Sequence, residues 1–458
     1  MDPTAKIGTP ALRVDGRLKV TGEARYASDI PLAHPAYAFL VTSAIARGRI
    51  TEIDDSDESD CRVVPGVLDI LTHRNVGNAI KPAKLFSDGG YAGSTIMPLA
   101  SDRIWHDGQI VAVVLAETFE AAREAAHRLK ISYAAEQPSV GVDSGGATTI
   151  AAKDVSSKHQ DPAVGDAATT FASAPVSIDQ HYATPIQHHN PIELFTTSCA
   201  RADGKLTIWE GSQNVTGIKH GLAEQLGMDP EKIRVISPFI GGAFGSRGSL
   251  TQRTALIAVA ARRLNRPVKL VATRDQGFTI ASYRAETRHH VKLGANHNRK
   301  LSVLIHEGEE VTSRPDNYMV AGTAASTRLY ACPNIASKVS IVHADRNTPG
   351  FMRSPPEVPY LFALESAIDE LAVALDMDPV ALRRRNDTNR EPIKGLPYTS
   401  RSLMPCFDAA VNAFGWERRN PKPPARRGVT AKRRRPRPPR LSYLRSIQSG
   451  RGGSFRPE

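Results

Sequence analysis

Cysteine is scarce in this chain. There are four in 458 residues, Cys61, Cys199, Cys332 and Cys406, far apart and without a CxxC pair. That argues against a disulfide framework and against a cysteine-built zinc site. An incidental buried thiol is the default reading of each. No run of about 18 apolar residues occurs, so no membrane-spanning helix is expected. The N-terminus has no basic start followed by an apolar stretch, so no secretory leader is read there. No internal repeat is evident. Neither GxGxxG nor GxxxxGK[ST] occurs, and no Ser-His-Asp arrangement is visible in the sequence.

The net charge of +12 is unevenly placed. Residues 421–458 hold 12 of the 59 Lys+Arg and one of the 47 acidic residues, so this stretch carries +11 and the rest only +1. Any attraction to a polyanion therefore resides in the tail "PKPPARRGVTAKRRRPRPPR". The tail lacks apolar periodicity and cannot build a core. No aromatic interleaves its arginines before Tyr443, so base stacking has little support.

Before that tail, strands and helices alternate. "GQIVAVVLAE" (108–117) is the apolar run of a buried strand. "TFEAAREAAHRLK" follows as a helix with Thr118 as its N-cap. Residues 136–172 are rich in Ala, Ser, Gly and Asp and read as a linker. Val215, Ile218, Leu222 and Leu226 fall on one helical face, with Gly227 suited to end it. "SLTQRTALIAVAARRL" reads as a helix capped by Ser249. Leu361, Leu364, Ile368, Leu371 and Leu375 repeat at spacings 3, 4, 3, 4, marking a long amphipathic helix. Asp378-Pro379 opens a short one. The chain divides into an α/β domain at 8–135, a linker at 136–172, a second domain at 173–418 and a basic, disordered tail at 419–458.

Few residues carry chemistry by themselves. In "SPFIGGAFGSRGSL", glycines at 241, 242, 245 and 248 lie between a strand and a helix. Such a loop lets backbone N–H groups approach a ligand, although a tight turn needs glycine equally well. Gln213 follows a strand and offers a neutral hydrogen bond; alone it reads as a polar loop residue. Arg353 lies in a Pro-rich loop and can stabilise negative charge, though a surface arginine is the blander reading. Glu365 reads as a salt-bridge or solvated residue. His188, His189 and Glu193 lack an established ligand spacing, so no metal is assigned to them.

Taken in order, five stretches resemble the molybdenum-binding large subunit of the xanthine dehydrogenase and aldehyde oxidoreductase family. They are "RVDGRLKVTGEARYASDI", "GQIVAVVLAETFEAAREAAHRLKISY", "EGSQ", "PFIGGAFGSRG" and "MRSPPEVPYLFALESAIDELAVALDMDPVALRRRN". The resemblance spans residues 8–416 and is greater to the bacterial three-subunit aldehyde oxidoreductases. It implies an α+β fold, a hammerhead-like α/β domain followed by the first half of a molybdopterin-binding domain. It implies a molybdopterin-type molybdenum cofactor that oxidises aldehydes or N-heterocycles with water-derived oxygen. It implies iron–sulfur clusters and FAD on partner subunits, with the protein orienting the cofactor. Carried over by position, Gln213 would bond near the apical molybdenum oxygen. Gly241 and Gly242 would let the Phe244–Gly245 backbone come close to the cofactor, and Arg353 would orient or stabilise substrate. Arg247 stands where lysine is common in the family, and Pro356 where glycine is common.

The resemblance further implies a molybdenum domain that continues well beyond the position of Trp416, including a Gly-Glu motif that supplies a general base. The expectation is a C-terminally truncated chain, incomplete or inactive alone. Its tail then reads as out-of-frame text. The alternatives are a basic arm for nucleic acid or acidic surfaces, and an assembly subunit completed by a separate chain. Location is expected to be cytoplasmic, or periplasmic by co-export with a partner subunit.

Overall fold

Seven consecutive apolar residues, Ile110–Ala116, form a strand in which every side chain is buried. A strand covered on both faces requires layers above and below it, and the architecture grows from that requirement. The computed structural model describes residues 10, 12–156 and 159–420. The basic stretch 421–458 lies outside the described residues. The chain forms two units, residues 1–399 and 400–458.

Among the described residues, the first unit contains fifteen strands. The N-terminal third carries β1 (Ala36–Thr42), β2 (Gly48–Asp54), β3 (Val67–Thr72), β4 (Arg103–Ile104), β5 (Ile110–Ala116) and β6 (Lys130–Ala135). There follow β7 (Thr148–Ala151), β8 (Val176–Thr184), β9 (Thr196–Ala202), β10 (Lys205–Glu210), β11 (Ile233–Ile236) and β12 (Val268–Val271). The last are β13 (Thr287–Ala295), β14 (Leu301–Ser313) and β15 (Ile335–Ala344). The main helices of this unit are α1 (Phe119–Arg128), α2 (Val215–Leu226), α3 (Gln252–Leu264), α4 (Glu357–Ala374) and α5 (Pro379–Arg385).

The largest sheet has the order β11-β10-β9-β12-β1-β5-β3. It mixes strands from both expected domains. β1 lies parallel to β12 with Ala36 opposite Val268, and antiparallel to β5. Residue 135 is therefore no boundary in the sheet, because the N-terminal strands continue a surface completed by β9–β12. The β9–β10 hairpin turns at Asp203-Gly204, both at positive φ, the pairing that a two-residue hairpin loop favours. α1 packs on β1 and β5, while α2 and α3 pack against β9, β11 and β12. Leu40, Val113, Leu222, Leu256 and Leu270 share the resulting core.

A second sheet, β7-β15-β14-β13-β8, has α4 packed across β8 and β13. Leu364, Ile368 and Leu371 of α4 join Val291, Leu293 and Leu304 there. The third sheet is β4-β2-β6. Within the expected linker 136–172 the structure places β7, paired with β15, and a short helix, Ala167–Ala172. These pieces escape a periodicity reading because β7 has four residues, none fully buried. The helix is a turn and a half, started by Asp166, whose carboxylate accepts the Thr169 N–H at 3.1 Å.

Thr118 caps α1 by accepting the Ala121 N–H. Gly227 ends α2 in the left-handed region, and Asp378 caps α5. Ser249 does not cap α3; Thr251 stands at that position. The reason lies in Leu250, whose backbone pairs with Tyr91 and Gly93 and is thereby kept out of the helix. In the second unit, a helix at Leu403–Phe414 ends at Gly415, φ 72°.

Candidate active site

The loop after β11 is shaped by glycines that other residues cannot replace. Gly242 has φ 102° and Gly245 φ 114°, conformations that exclude a Cβ. A Cβ on Gly245 would also stand 2.0 Å from the Phe351 carbonyl oxygen. The loop therefore lies against the segment carrying Arg353. The Gly245 N–H donates to Gln213 Oε1 at 3.0 Å, and the Gln213 N–H donates to the Arg247 carbonyl at 2.8 Å. With Oε1 engaged, the Nε2 end of the Gln213 amide retains its donors. The Arg353 N–H donates to the Phe244 carbonyl at 3.0 Å. Its guanidinium lies over the Phe244 ring, 5.0 Å from the centroid. The structure thus brings Gln213, Gly241, Gly242, Phe244, Gly245 and Arg353 together, with the side chains of Gln213, Phe244 and Arg353 exposed.

Arg247 holds the loop from beneath. Its guanidinium is wholly buried and donates to the carbonyls of Gly242 at 3.1 Å, Gly211 at 3.4 Å, Glu193 at 2.9 Å and Leu194 at 3.2 Å. It also lies 3.3 Å from Glu193 Oε2. The fork of an arginine reaches several carbonyls at once, where a lysine ammonium has three donors at one point. Burial pushes the Arg247 pKa down, opposed chiefly by the charge of Glu193. Glu193 Oε2 in turn accepts the Gly241 N–H at 2.8 Å. Behind this pair, two guanidiniums lie over the Phe195 ring, Arg247 at 4.9 Å and Arg253 at 5.0 Å from its centroid. Arg253 is bonded to buried Glu210 at 2.6 Å.

The Arg353 loop has its own clamp. Buried Arg284 donates to the carbonyls of Met352 at 2.7 Å, Arg353 at 2.8 Å, Ser354 at 3.1 Å and Pro355 at 3.0 Å. Its Nε donates to Gln187 Oε1 at 2.9 Å. Arg353 and Ser354 both have positive φ, 24° and 56°, which these bonds sustain. Pro356 sits at φ −82° as the residue that opens α4, close to the angle its ring prefers. His189 Nε2 lies 2.7 Å from the Phe351 carbonyl and Nδ1 lies 3.1 Å from that of Ser282. Burial pushes this imidazole toward its neutral form. A neutral ring has one N–H to give, so one of these two carbonyls accepts it.

Sequence reading missed Arg284, His189 and the supporting part of Glu193, because their partners are main-chain atoms far along the chain. Glu365 pairs with Arg383 at 2.6 Å and accepts from Tyr330. The exposed groups around Phe244 are donors, a primary amide and a guanidinium. That donor set suits an anionic, oxygen-rich group. An oxo-bearing molybdenum cofactor meets that description.

The chain is similar to known proteins over both of its domains. Residues 151–387 match the molybdopterin cofactor-binding domain, and residues 21–137 match the a/b hammerhead domain of aldehyde oxidase and xanthine dehydrogenase. The chain is 34% identical over 427 residues to the aldehyde oxidoreductase molybdenum-binding subunit PaoC of Escherichia coli (strain K12). That alignment covers 92% of this chain and 56% of the relative. It is 28% identical over 446 residues to the putative xanthine dehydrogenase molybdenum-binding subunit XdhA of the same organism, covering 91% and 58%. Among solved structures, quinoline 2-oxidoreductase from Pseudomonas putida 86 superposes with a TM-score of 0.79 at 20% identity. It covers 90% of this chain and 54% of that one. The chain spans about half the length of the curated relatives it matches.

Proposed function

The chain belongs to the aldehyde oxidase and xanthine dehydrogenase family, with a hammerhead and a molybdopterin cofactor-binding domain, and from that premise we propose that it serves a molybdenum hydroxylase. The substrate would be an aldehyde or an N-heterocycle. One observation carries the reading. Three segments distant in sequence, at 213, 244–245 and 353, meet through the Gly245–Gln213 and Arg353–Phe244 bonds and present donors on one open surface.

Bound there, the molybdenum cofactor would supply the two-electron redox chemistry. Gln213 Nε2 would donate to an oxygen of the bound group, its direction fixed by the Gly245 N–H on Oε1. The Gly241–Gly245 backbone would allow close approach. Arg353 would orient substrate and counter negative charge developing on it, its main chain held by Arg284 and its charge backed by the Phe244 ring. Electrons would leave through iron–sulfur clusters and FAD on partner subunits. No helix among the described residues is long and apolar enough to cross a membrane. We assign the complex to the cytoplasm, or to the periplasm through co-export with a partner.

The test is metal and pterin analysis of the full chain, purified after co-expression with the iron–sulfur and FAD subunits in a host that makes the cofactor. Molybdenum and pterin are expected in equal amounts, reduced together by Gln213→Ala. A folded chain that carries neither overturns the reading.

A further inference from the structure

The outer face of the second sheet brings two imidazoles and two carboxylates side by side. His181 on β8 lies directly opposite His290 on β13, which lies opposite Glu307 on β14. The two rings stack with centroids 4.1 Å apart and planes 14° from parallel. Asp179 is two residues before His181, on the same face because side chains alternate along a strand. Ligand atoms of Asp179, His181 and His290 all lie within 4.8 Å of one another.

We propose that Asp179, His181 and His290 form a surface site for an imidazole-preferring divalent cation of the Zn2+ type, with Glu307 orienting His290. Two nitrogens and a carboxylate oxygen are a donor set for zinc, copper or nickel rather than for magnesium or calcium, which take oxygen. Zinc sits about 2.0–2.1 Å from imidazole nitrogen, so modest side-chain rotations on a fixed backbone bring the three donors onto one ion. That backbone is rigid: β8 and β13 have nine residues each and β14 thirteen, and β13 is paired on both sides.

The surroundings also suit a ligating histidine. His290 Nε2 faces Asp179 Oδ1, while Nδ1 lies 3.3 Å from Glu307 Oε2. A metal-bound imidazole commonly donates its second N–H to a carboxylate, and Glu307 stands where that acceptor is needed. Lys292 Nζ lies 3.3 Å from Asp179 Oδ2, leaving Oδ1 for the ion. Arg288, the other cation on this part of β13, is paired with Asp143. The inference does not depend on a molybdenum cofactor, and its test needs no activity.

The experiment is calorimetric titration of the full chain with Zn2+, alongside His181→Gln, His290→Gln and Glu307→Gln. Wild type is expected to take one tight equivalent and to gain thermal stability from it. His181→Gln and His290→Gln should both lose that equivalent. Glu307→Gln should retain it at about 10- to 100-fold weaker affinity. His181→Gln is the deciding variant, because His181 is exposed and its loss removes no His290 ion pair. Unchanged zinc affinity in His181→Gln overturns the site, and so does displacement of Zn2+ by millimolar Mg2+.

Discussion

The Nη2 of Arg284 donates to the carbonyl of Arg353 at 2.8 Å, so a buried guanidinium fixes the backbone that presents an exposed one. Arg284→Met would leave four consecutive carbonyls without this donor. At about 0.5–1.5 kcal/mol for each hydrogen bond lost, destabilisation of about 2 kcal/mol or more is expected by chemical denaturation. Proteolysis should quicken within residues 350–357. Arg284→Lys should recover only part of this, since an ammonium cannot reproduce the planar fork.

Gly245→Ala places a methyl group 2.0 Å from the Phe351 carbonyl oxygen at a φ of 114°. The strain is expected to cost about 1–3 kcal/mol and to part the 241–248 loop from the Arg353 segment. Gly145→Ala is the control. A Cβ there meets nothing within 4 Å and its φ is not positive, so its unfolding midpoint should stay near wild type. Equal midpoints for the two variants would show that the loop is not wedged against Phe351.

Glu210 and Arg253 form a buried ion pair at 2.6 Å, with Thr197 and Thr254 also donating to Glu210. Glu210→Gln leaves the arginine charge uncompensated, at a cost of about 3–5 kcal/mol. The double variant Glu210→Gln/Arg253→Met should be more stable than the sum of the single effects implies. A urea-denaturation cycle over the four proteins measures that coupling.

Burial pushes the imidazoles of His106 and His289 down to about 4. Both are therefore neutral in the folded chain, whereas an unfolded histidine titrates near 6.5. Above about pH 6.5 the two states bind the same number of protons at these rings, and the contribution to stability is complete. As pH falls from there through about 4, the unfolded chain takes up protons that the fold resists, and stability is lost. Unfolding midpoints between pH 7 and 4 should show this decline, less steeply in His106→Gln.

The legible parts of the fold were those with short-range causes. The β5 run, the 3-4-3-4 repeat of α4 and the caps at Thr118, Gly227 and Asp378 each announce themselves within a few residues. Ser249 misled because its neighbour Leu250 is held by Tyr91 and Gly93, partners no local pattern reveals. The glycines of 241–248 were conspicuous, and resemblance singled out Gln213 and Arg353. Arg284, Arg247 and His189 bond to carbonyls as much as 162 residues away. Every residue carries a carbonyl, so such partners leave no trace in side-chain identity.

The parallel pairing of Ala36 with Val268 sets a timetable for synthesis. Ribosomes add about 5–20 residues per second, and these partners are more than 200 residues apart. The hammerhead strands therefore leave the ribosome on the order of ten seconds or more before β12 arrives. During that interval one edge of β1 has unpaired main-chain groups, the kind of edge on which sheets add foreign strands. An excised piece ending near residue 137 would keep that edge open permanently. The hammerhead is thus a recognisable sequence unit whose sheet is finished by the domain that follows it.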